Sequence, residues 1–378
     1  MIDVRAARQR AAAVTVQRRA LCPSRLGAVR DWLLELLRDP LDGSRLSLGD
    51  DVVRRDARIV SGTLVGASGS YPIRDGIPRF VTRSDAGQAQ TEESFAYKWT
   101  NREGFGSAGM QEKVSSWILE RYGFASGETM RDYFSRYERV LDAGCGAGLA
   151  TSTWLASGWR RDANEFVGLD ISAAIDTARQ RLGDVEGTSF VQADILALPF
   201  SPSSFDLVFS EGVLHHTPST EAAFKALARL LRPRGEIMIY VYRRKAPARE
   251  FVDDYVRERI AGLSPEDAWD RLRPLTRLGQ ALAELDTVVE VPEDVEVLGI
   301  PKGTYDVQRL VYWHFAKLFW NPTMTFEENN HVNFDWYHPR YAHRHTEGEV
   351  RSWFADCGLE ITRLNAQEAG FTVRATLR

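Results

Sequence analysis

The sequence predicts an α/β fold: a doubly wound, mainly parallel sheet, with a small N-terminal unit ahead of it and a helical insert before its last helix and hairpin. Three observations carry this expectation. Between Arg139 and Tyr242, short apolar runs alternate with amphipathic stretches across short links, the pattern of a parallel sheet covered on both faces. Residues 245–345 then break the alternation over far more than the roughly 2–6 residues of a connecting loop, so they must fold on their own. After them, residues 346–378 resume with one helix and two strands.

The elements follow in order. Asp31–Leu37 reads as a helix stopped near Pro40, followed by strand-like runs at Ile59–Val65 and Arg79–Val81. The polar stretch 82–93 reads as a linker, and a helical approach begins at Phe95-Ala-Tyr-Lys-Trp99. Val140–Ala143 is the first apolar strand and a helix starts at Leu149. Phe166–Leu169, Phe190–Ala193 and Leu207–Ser210 are further strands. Glu221–Leu231 carries Phe224, Leu227, Ala228 and Leu231 at helical spacing. The "LRPRG" segment stops that helix, and Glu236–Tyr242 is a fifth strand. In the insert, Phe251, Val252, Tyr255, Val256 and Ile260 share one helical face. Ser264-Pro265-Glu266-Asp267 caps another helix. Thr346 caps the helix Glu347–Cys357, and Leu359–Leu364 with Phe371–Leu377 form the closing hairpin.

At 378 residues, 44% hydrophobic and 26% charged, the chain can bury a real core. A net charge of −4 argues against a nucleic-acid coat protein. The exception is an arm, residues 1–30, with seven arginines against one acid, Asp3. No apolar run is long enough to span a membrane, and the first thirty residues lack a secretory core. Cys22, Cys145 and Cys357 are too scattered for a disulfide framework, so a reducing cytoplasm is the expected setting.

The sharpest motif is Val140-Leu-Asp-Ala-Gly144-Cys-Gly146-Ala-Gly148, a glycine turn between a strand and a helix. Glycines there let a ligand lie against backbone amides. The third glycine falls one position short of a dinucleotide fingerprint, and Asp142 before the turn would repel a pyrophosphate but favour a cation. Asp170 ends the second strand, where a carboxylate can hold both hydroxyls of a ribose. Asp194 and Ile195 follow the third strand, where an acid and an apolar side chain suit an adenine. The set points to an adenosine with a positive, phosphate-free tail.

These pieces, with "VGLDIS" (167–172), "VQADILALPF" (191–200), "FDLVFSEGVLHHTP" (205–218) and "LARLLRPRGEIMIYVY" (227–242), resemble the class I S-adenosylmethionine-dependent methyltransferases. The resemblance implies a seven-stranded Rossmann-like methyltransferase sheet with S-adenosylmethionine as cofactor and S-adenosylhomocysteine as product. It implies cofactor contacts from Asp142, Gly144, Cys145, Gly146, Gly148, Asp170, Ile171, Asp194, Ile195 and Glu211. Arg234 stands where the family more often has glycine. Residues 36–46 and 64–81 resemble a zinc ribbon of methyltransferase activators. Its ligand positions here hold Asp39, Asp42, Gly66 and Gly69, so no zinc and no other metal is expected.

The expected organisation is a basic arm (1–30), a degenerate zinc-ribbon-like domain (31–81), a linker with helices covering the cofactor (82–134), a methyltransferase domain (135–244 and 346–378) and a substrate lid (245–345). His215 and His216 follow the fourth strand on the donor edge. A histidine there can take a proton from a hydroxyl or ammonium nucleophile, and with Tyr337 they are the catalytic candidates. Eleven aromatics lie between 301 and 345, which suits a pocket. His338, Arg340, His343, Arg344 and His345 add a basic cluster that hints at an anionic acceptor. The leading expectation is methyl transfer to an O or N atom of a small molecule, in specialised-metabolite or sugar tailoring. An RNA or protein methyltransferase docking through the arm, and a non-methylating enzyme on the same cofactor, are the alternatives. Membrane association is not expected, nucleic acid is disfavoured, and a homodimer is left open.

Overall fold

The computed structural model describes residues 29–55, 58–81, 85–100, 108–155, 164–183 and 185–378. All but the last two residues of the arginine-rich arm lie outside them, as does the side chain of Trp99.

Helix α1 (Asp31–Leu36) leads into a small antiparallel sheet of β1 (Ser47–Leu48), β2 (Val53–Arg55), β3 (Arg58–Val65), β4 (Ser70–Arg74) and β5 (Ile77–Pro78), in which β3 pairs with β1, β2 and β4. The positions that resemble zinc ligands are joined instead by hydrogen bonds. The Asp39 carboxylate accepts from Tyr71 Oη at 2.7 Å, Leu41 N at 2.9 Å and Ser68 N at 3.1 Å. Asp42 accepts from Ser44 N at 2.7 Å and the Ser68 hydroxyl at 2.6 Å. Gly66 N donates to Gly69 O at 2.8 Å.

Helices α2 (Ala86–Thr100), α3 (Ala108–Tyr122) and α4 (Gly127–Phe134) precede the alternating region. It runs β6 (Arg139–Ala143), α5 (Leu149–Leu155), β7 (Glu165–Asp170), α6 (Ala174–Leu182), β8 (Thr188–Gln192), β9 (Phe205–Glu211), α7 (Thr220–Ala228) and β10 (Leu231–Tyr242). The insert holds α8 (Pro247–Ile260), α9 (Pro265–Glu284), a ribbon of β11 (Val288–Val291) and β12 (Gly303–Asp306), α10 (Val307–His314) and α11 (Phe326–Tyr337). Helix α12 (Glu347–Asp356) and the hairpin β13 (Leu359–Ala366) and β14 (Gly370–Leu377) close the chain.

The main sheet is ordered β13-β14-β10-β9-β6-β7-β8. Its five central and outer strands are parallel, and β14 runs antiparallel to both β10 and β13. The chain leaves β6 toward β7 on one side and returns with β9 on the other, so a crevice opens at the C-terminal ends of β6 and β9. Buried apolar side chains cover both faces; on one, Trp154 stacks on Phe134 with ring centroids 4.0 Å apart. The edge of β8 is covered by the small sheet, where Phe80 N donates to Gln192 O at 2.8 Å and Arg79 grips Asp176 at 2.7 Å. Among the described residues, no helix is long and apolar enough to cross a membrane.

Three local readings change. Residues 86–93 are the start of α2, not linker, because Asp85 accepts from Gln88 N at 2.6 Å and the helix buries a polar face. The "LRPRG" segment belongs to β10, where a register shift between Leu231 and Glu236 places Arg234 at φ +65°. In α8 the apolar face is split: Phe251 and Tyr255 are 73% and 50% exposed and Ile260 is in the core, while Arg249, Asp253 and Arg257 are buried beside it. Asp253 accepts from Arg249 Nε (2.7 Å), Trp336 Nε1 (2.7 Å) and Tyr337 Oη (2.9 Å). That network turns the charged face inward.

Candidate active site

The crevice opens into one cavity of about 520 Å³, bounded by the strand ends, α2 and α3 on one side and the insert on the other. The glycine turn forms its floor. Gly144, Gly146 and Gly148 have φ of +83°, +53° and +74°. A Cβ on Gly144 would collide with Val213, and one on Gly148 would lie 2.8 Å from Leu182 Cδ1, so both packing and conformation demand glycine.

Four carboxylates surround this end. Gly146 N donates to Asp170 Oδ2 at 2.8 Å, while Ser172 N and its hydroxyl bind Oδ1 at 2.8 and 2.7 Å. Burial pushes the Asp170 carboxyl up, and the bonds from Ser172 and Gly146 pull it back. Asp142 is 2% exposed and accepts from the Thr151 hydroxyl. Burial drives it up to about 7, and the charges of Asp170 and Glu211 add to the rise. Asp194 accepts from Leu196 N at 2.8 Å, and burial raises it too. Glu211 is held by Arg121 and by Tyr122 Oη at 2.6 Å. Among the described residues Glu211 alone of the four has a cationic partner within 4.0 Å. Such an end repels phosphate and favours a cation.

Cys145, Ile171 and Ile195 complete the lining at this end. The Cys145 thiol is free and 7% exposed, and burial pushes it well up, so it serves as packing. Every residue implied as a cofactor contact except Gly148 lines the cavity. Gly148 instead packs its turn against α6.

The three catalytic candidates separate. His216 lines the cavity, and its Nδ1 lies 2.6 Å from Tyr341 O. A carbonyl only accepts, so Nδ1 carries a proton. His215 does not line the cavity. It is wholly buried, stacks on Tyr242 at 3.7 Å, and burial with the neighbouring histidines holds it well below the usual range. Tyr337 is also outside, sealed in the insert with its hydroxyl donating to Asp253. The 338–345 cluster faces elsewhere: Arg344 pairs with Glu250 (2.8 Å) and Asp254 (2.6 Å), and His343 Nε2 lies 3.1 Å from Thr217 O.

Several lining residues carried no sequence signal. Arg121 sits at the end of α3 and lies 4.0 Å over the Tyr240 ring. In the insert, Lys245, Arg249, Arg309 and Lys317 replace the expected basic cluster. They are scattered through the sequence and converge only in the fold. Of the eleven aromatics, Tyr312, Trp313, Phe319 and Trp336 reach the cavity.

A family model described as a methyltransferase domain matches residues 141–239. A protein of Encephalitozoon cuniculi (strain GB-M1) named as a methyltransferase is 31% identical over 180 residues, which cover 46% of this chain and 76% of that relative. The chain belongs to the class I S-adenosylmethionine-dependent methyltransferases. The methyltransferase is also 39% identical over 102 residues to a malonyl-[acyl-carrier protein] O-methyltransferase of Enterobacter lignolyticus (strain SCF1), covering 26% of this chain and 37% of that one. It spans 43% of the Erwinia billingiae (strain Eb661) protein of the same name. Among solved structures, the Burkholderia thailandensis 1,6-didemethyltoxoflavin-N1-methyltransferase is similar at 14% identity and a TM-score of 0.39, covering 83% of this chain and 97% of that one. This chain's cofactor is S-adenosylmethionine, and the acid-rich end of the cavity, negative in field, is compatible with a sulfonium.

Proposed function

We propose that this methyltransferase acts on an O or N atom of a small molecule, of the kind modified in specialised-metabolite or sugar tailoring. The observation that supports it is a cavity that runs from the glycine turn to the aromatic face of the insert. Its walls are largely closed to solvent: His216 is 5% exposed, Tyr240 4%, Tyr312 7% and Trp336 3%. A cavity of that volume takes a small acceptor rather than a folded macromolecule.

Bound S-adenosylmethionine supplies an electrophilic methyl group on a sulfonium. Asp170 would hold its ribose, Asp194 and Ile195 its adenine, and Asp142 the positive tail. The aromatic faces of Tyr312, Trp313 and Trp336 orient the acceptor and exclude water, which in an in-line displacement supplies most of the rate. His216 accepts the nucleophile's proton at Nε2, and its Nδ1 bond to Tyr341 O fixes the ring for that role. Arg121 and Tyr122 hold Glu211 at the end of β9, so the acid keeps one position beside the transferred group.

The test is transfer of labelled methyl into an extract of the source organism, separated into small-molecule, RNA and protein fractions. The expected result is label in the small-molecule fraction, lost in Asp170→Ala. Label confined to RNA or protein would overturn the reading.

A further inference from the structure

The insert end of the cavity has a charge imbalance that the cofactor does not use. Lys317 is 7% exposed, lines the cavity, and stacks its ammonium 4.3 Å over the Trp336 ring. Among the described residues no carboxylate lies within 4.0 Å of its Nζ, and none lies that close to Lys245 Nζ, which donates to the carbonyls of Glu368 and Ala369, the latter at 3.0 Å, and lies over the Trp313 and Trp336 rings at 5.5 and 5.9 Å. Arg249, 1% exposed, completes the group at the same wall. The acids nearby are already engaged. Asp253 is shared by Arg249, Trp336 and Tyr337, Glu328 caps the first turn of α11, and Asp335 faces His331 at 3.5 Å. Glu250, near Lys245, is held by Arg344 at 2.8 Å. Lys317 and Lys245 therefore face the cavity with no carboxylate of their own within 4.0 Å, and the acids that act on them, Asp253, Asp335 and Glu250, also face other donors. Such a wall carries an excess of positive charge that is costly unless an anion occupies it.

We propose that the methyl acceptor is an anion, a carboxylate or a phosphate ester, whose charged group is seated between Lys317, Lys245 and Arg249. This rests on the small-molecule reading above and narrows it. The anion lies at the insert wall, and the nucleophilic O or N of the same molecule is turned toward His216 and the glycine turn. The trapped charge supports this: burial first, then Arg249, pushes Lys317 down to about 7, and burial holds Lys245 well below its usual range. An anion placed there raises both.

The acceptor need not be identified first. The small-molecule fraction of the extract is passed over an anion exchanger at pH 7.5, and the bound and unbound pools are assayed separately for methyl uptake. Uptake is expected in the bound pool. Phosphatase treatment of that pool then separates the sources: loss of uptake marks a phosphate ester and retention a carboxylate. Lys317→Met should raise the acceptor KM about 10–100-fold, the worth of a charge-assisted hydrogen bond, with S-adenosylhomocysteine affinity by calorimetry unchanged and Lys317→Arg largely restoring it. If Lys317→Met does not fold, Lys245→Gln at the half-buried position serves as the second variant, with the same expectation. Uptake confined to the unbound pool, or unchanged KM in a folded variant, overturns the anionic acceptor while leaving small-molecule methylation standing. Uptake in neither pool means that the small-molecule reading has itself failed, and the anionic acceptor falls with it.

Discussion

Asp142 carries the clearest pH dependence. Its carboxyl is raised to about 7, mainly by burial, against an ordinary value of roughly 3.9 in an unfolded chain. The folded state therefore holds more protons between about pH 4 and 7, and this residue's contribution to stability falls as pH rises through that window. Cofactor binding has the opposite slope, because a cation favours the ionised carboxylate. Affinity for S-adenosylmethionine should strengthen from pH 6 to 8, measured by calorimetry, and the dependence should flatten in Asp142→Asn. A second outcome concerns Arg234, exposed and at φ +65°, a left-handed conformation that disfavours any side chain. Arg234→Gly should stabilise the fold by about 1 kcal/mol in denaturant titrations, the strain removed exceeding the entropy lost. Both residues stood out in the sequence, Asp142 by its place before the glycine turn and Arg234 by departing from the family. Neither Lys317 nor Arg121 did, because a lone cation on a helix or loop gives no period and no motif.

Helices were legible wherever an apolar face or a cap made them so. Ser264 and Thr346 cap α9 and α12 as the sequence predicts, accepting from Asp267 N at 3.1 Å and Glu349 N at 3.2 Å. The strands of the main sheet were equally plain, since buried parallel strands are short apolar runs. What failed were elements buried through polar contacts. Helix α2 meets the chain after α11 through Gln90, which donates to His338 O at 3.0 Å and accepts from Arg340 N at 2.7 Å. Helix α8 is turned inward by Asp253 and by Arg257, which donates to the carbonyls of Trp336, Pro339 and Arg340. Neither face has a hydrophobic period to read. Arg257→Met should accordingly destabilise the protein by about 2–4 kcal/mol, because it leaves several buried carbonyls without donors. Thermal unfolding measures that. An equally large effect from Phe251→Ala, whose side chain is mostly solvent-exposed, would contradict the orientation of α8.

Across the whole molecule, the glycine-turn end of the cavity was readable in the sequence and the insert end was not. The first is built from consecutive motifs at strand ends. The second is assembled from residues separated by most of the insert, and the basic cluster at 338–345 drew attention to side chains that hold the insert together. The small N-terminal sheet contributes by covering β8, the strand that leads to Asp194 and Ile195. Its own integrity depends on Asp39, so Asp39→Ala should cost about 2–3 kcal/mol in denaturant titrations by stripping acceptors from Tyr71 Oη and two backbone amides. The proposed function needs donor and acceptor at opposite ends of one cavity. A crystal structure with S-adenosylhomocysteine tests it most directly. The expected structure has the ribose on Asp170, the adenine beside Asp194 and Ile195, and the sulfur facing the insert aromatics with the Lys317 end still open. A nucleoside seated among Trp313, Lys317 and Trp336 would contradict it.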